Sequence, residues 1–414
     1  MMPPYLLSVL LAALGGSAIA APDEDKLGKA QGYPAGTAET WFTNESVRVG
    51  TFTSQGEIPG IFAGKSNVLA ASDTPMPLLR SDREPSIRWD ADQLQNLTVD
   101  DYLARQRVMG LLIVKDGVVQ VERYQYDRKP SQRFLSNSMA KSITSLAIGI
   151  AVQEGKIHSL DDRADRYAPE LAGTLYGETT IRNLLRMGSG VRFTERYDGQ
   201  DDRARYIQAL TRDGMQAAAR NMTEREAPQG SRFSYSSAET DMLGIVLRGA
   251  TGMTLSEYLT PRLWQPIGAE TSALWRADKT GLERASTSFN ATLRDYARLA
   301  IVLANDGVRP DDPQRKQIIP RDYLLDATDW HKVPQAFQPG KATGSYGYGY
   351  QIWLSPGEKR RFLLLGVFGQ MIFIDPELKL VMVQTSAAAE AKPARLFKDA
   401  NALWRGVVQQ YGNW

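Results

Sequence analysis

A serine three residues ahead of a lysine, Ser138-Met139-Ala140-Lys141, occurs once in this sequence and carries the most direct chemical meaning in it. A serine hydroxyl is a weak nucleophile until a base takes its proton. At the start of a helix, residues three apart share a face, so Lys141 can reach Ser138 Oγ. Burial would lower the lysine's pKa and leave a neutral amine able to serve as that base. The helix N-terminus would also turn backbone N–H groups toward a developing oxyanion. Ser138 as a plain helix cap, with Lys141 on a solvated face, is the competing reading.

Two further patterns point the same way. Phe233-Ser-Tyr235-Ser236-Ser237 places a phenol and a hydroxyl just ahead of a helix, where they can face a cleft; an ordinary half-buried aromatic is the alternative. Gly366-Val-Phe-Gly-Gln370 puts glycines at a strand edge, where a substrate can approach the backbone and an N–H can complete an oxyanion hole. Other chemistries lack their parts. There is no Gly-x-Ser-x-Gly, no cysteine and no phosphate-binding glycine loop, and the two histidines, His158 and His331, fall near loops outside any metal-binding spacing. A Ser-His-Asp hydrolase, a thiol enzyme and a zinc hydrolase are therefore disfavoured. The net charge of +2 gives no basic footprint for nucleic acid.

The ordered set resembles the serine β-lactamase and penicillin-recognising superfamily. It is most similar to the 6-aminohexanoate-dimer hydrolase branch and related carboxylesterases. The resemblance rests on Ser136–Ser145, Ser159–Asp162, Ile181–Val191, Asn290–Asp295, Gly366–Gln370 and Ile374–Pro376, and runs from about Trp89 to the end. It implies a β-lactamase/DD-peptidase-like α/β (α+β) fold, with Ser138 acylated, Lys141 as base and Tyr235 relaying a proton to the leaving group. Backbone N–H groups of Ser138 and Val367 would form the oxyanion hole. Tyr197, Ser237, Asn290 and Gly366 would bind the substrate, a small ester or amide; no cofactor or metal is implied. Two departures matter: Ser237 stands where β-lactamases usually have Asn, and Leu364-Leu365-Gly366 replaces Lys-Thr-Gly, so the strand lacks the cation that would bind a β-lactam carboxylate. A β-lactamase or D-amino-acid peptidase, and a non-catalytic binding protein on the same scaffold, remain the alternatives.

These residues need elements to position them. Gly110–Val114 and Val118–Tyr124 read as a hairpin turned by Asp116-Gly117. Met139–Gln153 is apolar or small nearly all round, as for a buried helix stopped at Gly155. The stretch from about 138 to 340 reads mainly helical. Phe362–Leu365, Gln370–Ile374 and Leu380–Thr385 return to strands, and a helix over Ala394–Tyr411 closes the chain. Strands near 91–137 and 341–414 would form one antiparallel sheet flanked by helices, with the helical region inserted. Residues 21–90, rich in Gly, Pro, Ser and Thr, read as an extended arm with a strand or two lying on the body. Met1–Ala20, with the apolar run Tyr5–Leu14 and Ala18-x-Ala20, reads as a secretory signal peptide even though no Lys or Arg precedes the run. Export to the periplasm or medium is expected, with no stable membrane insertion after cleavage. The oligomeric state is left open.

Overall fold

A computed structural model describes residues 21–414, so the expected signal peptide at Met1–Ala20 lies outside the described residues. The strands are β1 (Ala63–Leu69), β2 (Trp89–Ala91), β3 (Leu94–Leu97), β4 (Val108–Lys115), β5 (Val118–Tyr124), β6 (Arg133–Leu135), β7 (Ala273–Asp278), β8 (Phe289–Thr292), β9 (Gly347–Tyr348), β10 (Trp353–Leu354), β11 (Phe362–Gly366), β12 (Gln370–Asp375) and β13 (Leu380–Ser386). Seven of them form an antiparallel sheet in the order β5-β4-β13-β12-β11-β10-β9. The early hairpin thus pairs directly with the end of the chain, Leu112 opposite Val383. Asp116 and Gly117, both at positive φ, supply the tight turn between β4 and β5.

Strands β12 and β13 are buried at every position, and β4 at all but its last. Helices cover both faces, which is why these strands read as continuous apolar runs rather than alternating ones. The Leu293–Ala304 helix packs on β4, β12 and β13. From the C-terminal helix Ala394–Tyr411, Trp404 stacks on Phe373 of β12 at 5.5 Å between centroids.

The Met139–Gln153 helix runs through the interior, buried from Met139 to Ala151, and packs on the Ser237–Thr251 helix. Its end is a glycine cap. Gly155 takes φ 69°, its N–H reaches Val152 O at 3.0 Å, and the Lys156 N–H reaches Ala151 O at 2.9 Å.

Two expectations need correction. The strands do not all join one sheet: β7 and β8, from within the mainly helical middle, join β1 and β6 in a second sheet, ordered β1-β7-β8-β6. Nor does the arm merely lie on the body. Its strand β1 is hydrogen-bonded to β7, and it is not extended throughout but includes a short buried helix, Arg48–Phe52. Gly50 lets that helix pack on the Tyr33-Pro34 backbone, because a Cβ there would lie 2.2 Å from Tyr33 O. Both features depend on partners far away in sequence, which a local pattern cannot show.

Candidate active site

Ser138 stands at the N-terminus of the Met139–Gln153 helix, and its hydroxyl makes no capping bond. Lys141, one turn on, is only 1% exposed. Its Nζ lies 3.1 Å from Ser138 Oγ, 3.1 Å from Ser237 Oγ and 2.8 Å from Ser286 O. The capped-serine, solvated-lysine reading therefore does not describe this site. Burial lowers the lysine to about 8; Glu195 and Asp241 pull it partly back up, while Arg203 and Arg284 push it further down. Near neutral pH a usable fraction is a neutral amine, with a lone pair free for the Ser138 proton.

Each neighbour of the lysine is itself held. Asp241 Oδ1 accepts from the Ser286 N–H at 2.9 Å, and Asp241 Oδ2 pairs with Arg284 Nε at 3.1 Å, all of it buried. The carbonyl that grips Lys141 is thus fixed by a buried ion pair. Ser237 donates both its N–H and its hydroxyl to the Glu195 carboxylate, each at 2.9 Å. Tyr197 donates its hydroxyl to the same carboxylate at 2.6 Å.

Tyr235 is half-buried among aromatic rings at the cavity wall. Its ring stacks on Trp353 at 5.8 Å, and Lys141 Nζ sits 5.1 Å from its centroid. Burial holds the phenol well above the usual tyrosine range, Glu195 adds to that, and a hydrogen bond with the Ser138 side chain partly offsets it. The tyrosine therefore keeps its proton where the lysine can lose one.

The turn before Ser138 is tied to the β11 edge. Asn137, at φ 43°, donates Nδ2 to Val367 O at 3.0 Å. A Cβ on Gly366 would fall 2.4 Å from Ser136 O and 3.0 Å from Ser138 N, so only glycine lets the strand come this close. A cavity of about 530 Å³ opens over this junction, with Ser138, Tyr235, Tyr197, Gly366 and Val367 on its wall. Ser138 and Val367 border the same space, as an oxyanion pair would.

Two expected substrate residues are placed elsewhere. Asn290 is 2% exposed on β8, its Nδ2 spent on Gln55 Oε1 at 3.1 Å and Ser288 O at 2.8 Å beneath the arm. Ser237 is not on the cavity wall but bridges Lys141 to Glu195. Sequence reasoning passed over two residues that do line the cavity. Glu195 lies two residues before Tyr197, and its charge could have drawn attention. Lys392 follows the last strand, in a loop with no pattern to mark it. The β11 strand carries no cation, as expected, but Lys392 brings one to the cavity from another element. Among the described residues no group of acidic or histidine side chains is arranged to hold a metal ion.

Comparison with known proteins identifies the family. The sequence profile of the Beta-lactamase family matches residues 96–403. The chain belongs to the β-lactamase family. It is 27% identical over 314 residues to the 6-aminohexanoate-dimer hydrolase of Paenarthrobacter ureafaciens, covering 73% of this chain and 79% of that one. A Bacillus anthracis structure provisionally assigned as a 6-aminohexanoate-dimer hydrolase superposes with TM-score 0.78 at 25% identity, over 90% of this chain and 96% of that one. A family VIII carboxylesterase shares the fold, with TM-score 0.54 at 15% identity over 73% and 93% of the two chains. This member of the β-lactamase family is accordingly a serine hydrolase of the amidase and esterase type. Its matched region begins after the arm that carries β1.

Proposed function

We propose that this enzyme hydrolyses short linear esters or amides through an acyl-enzyme on Ser138. Neutral Lys141 takes the Ser138 proton as Oγ attacks the substrate carbonyl. The N–H groups of Ser138 and Val367 stabilise the tetrahedral oxyanion. As it collapses, the bond from carbonyl carbon to nitrogen or oxygen breaks, and the proton now on Lys141 passes by way of the Tyr235 hydroxyl to the leaving group. Water then attacks the acyl carbonyl, the proton path runs in reverse, and Ser138 is released with the free acid. The carrying observation is the buried Lys141 Nζ at 3.1 Å from Ser138 Oγ, its pKa lowered to about 8. Tyr235, held protonated by burial, suits a relay rather than the base.

The preference for linear substrates is supported by the 6-aminohexanoate-dimer hydrolase relatives and by Leu364-Leu365 in place of a β11 cation. Met1–Ala20 supports export of the mature enzyme to the periplasm or medium, which N-terminal sequencing of protein from its host checks. A start at Met1 would refute export. For the activity, the test is turnover of p-nitrophenyl butyrate, 6-aminohexanoate dimer and nitrocefin beside Ser138→Ala. The ester or the linear amide is expected to exceed nitrocefin in kcat/KM, and Ser138→Ala to lose at least ~10⁴-fold. Nitrocefin as the best substrate would move the assignment to a β-lactamase.

A further inference from the structure

The wall of the active cavity carries one basic side chain, Lys392. It comes not from β11, which is apolar at Leu364 and Leu365, but from the loop between β13 and the C-terminal helix. Its Nζ is braced rather than neutralised. One N–H goes to Glu195 O at 2.9 Å, and the ammonium lies 5.3 Å from the Tyr197 ring centroid. The Glu195 carboxylate is occupied by Ser237 and Tyr197, so it offers Lys392 only its backbone. Ala394, the first residue of the 18-residue C-terminal helix, lines the same wall, and no side chain caps that helix end. The dipole therefore adds positive potential beside the lysine. Against this stand Phe233, Trp353, Leu365, Met371 and Phe397, an apolar surface broken by a cation that forms no salt bridge of its own, the nearby Glu195 carboxylate being turned to Ser237 and Tyr197.

The geometry points to Lys392 as a carboxylate-binding subsite of this cavity, selecting linear esters or amides whose aliphatic chain ends in a carboxylate. The inference rests on the acyl-enzyme reading and adds the charge of the substrate to it. The reaction at Ser138 is unchanged; the carboxylate is held by charge-assisted hydrogen bonds and takes no part in bond breaking.

The test compares mono-p-nitrophenyl adipate with its methyl ester, which differ by one negative charge, and reads the ratio of their kcat/KM values. The native enzyme is expected to favour the anionic ester, and rising salt to weaken that preference. Lys392→Met should lower the ratio about tenfold or more, Lys392→Arg should keep it, and Lys392→Glu should turn it toward the neutral ester. A general disturbance of the loop would slow both esters together and leave the ratio alone. A ratio that is the same in all four enzymes overturns the subsite. Ser138→Ala on the same pair separates the two readings: activity retained there refutes the acyl-enzyme, whereas Ser138-dependent turnover with an unresponsive ratio refutes only the role of Lys392.

Discussion

At the scale of single residues, the account depends on Lys141 being able to shed a proton. Below about 8 it is protonated and cannot accept the Ser138 proton, so kcat/KM should rise with pH through that value and level off above it. Glu195 raises the lysine's pKa, so Glu195→Gln should move this acid limb to lower pH. An unmoved limb in a folded Glu195→Gln enzyme would mean that another group governs the profile. Tyr235→Phe should cost amides more than p-nitrophenyl esters, because a poor leaving group needs the proton more; general-acid help is worth ~10²–10⁴ in rate. Equal losses on an amide and an activated ester would deny Tyr235 that role. The residue types here were legible: Ser138, Lys141 and Tyr235 stand in recognisable motifs, and the structure brings all three together. Asn290 was misplaced because its amide faces Gln55, a residue 235 positions away that local reading cannot bring near.

At the scale of elements, the Val367 edge proposed to bind the oxyanion is held from behind by the arm. Phe368, which follows Val367, sits at φ 61° and ψ 19°, a backbone region that a non-glycine residue occupies only when its surroundings impose it. The surroundings are Phe42 at 5.2 Å, Phe52 at 5.5 Å and the Arg48 guanidinium at 4.5 Å from the ring. Arg48 also donates to Ala388 O at 2.7 Å and Ala389 O at 3.0 Å, fixing the loop that leads toward Lys392. Arg48→Met should strand those carbonyls, costing ~1–3 kcal/mol. Because the loosened edge carries Val367, kcat should fall more than KM changes. A variant that loses melting temperature but keeps kcat would reduce the arm to packing. The strands β4, β5, β11, β12 and β13 and the helices Met139–Gln153 and Ala394–Tyr411 were readable, since each carries its apolar signal within its own residues. β1, β7 and β8 were not: their four to seven residues gain hydrogen-bond partners only when remote segments meet.

At the scale of the whole molecule, one sheet is closed by joining β4 to β13, and a second takes its edge strand from the arm. The proposed nucleophile lies where the two meet. Ser138 follows β6 of the smaller sheet and faces the end of β11 in the larger one, so neither sheet alone completes the site. Deleting residues 21–69 should therefore expose the β7 edge and the buried rings behind it and give aggregated or inactive protein, read as soluble yield and esterase activity. A soluble, fully active truncation would show that the arm is dispensable. The most direct measurement of the central claim is intact-mass spectrometry of the enzyme quenched soon after mixing with p-nitrophenyl butyrate, followed by peptide mapping. The account predicts one added butyryl group on the peptide containing Ser138, absent from Ser138→Ala and strongly diminished in Lys141→Ala. An adduct on another residue, or full turnover by Ser138→Ala, would contradict it.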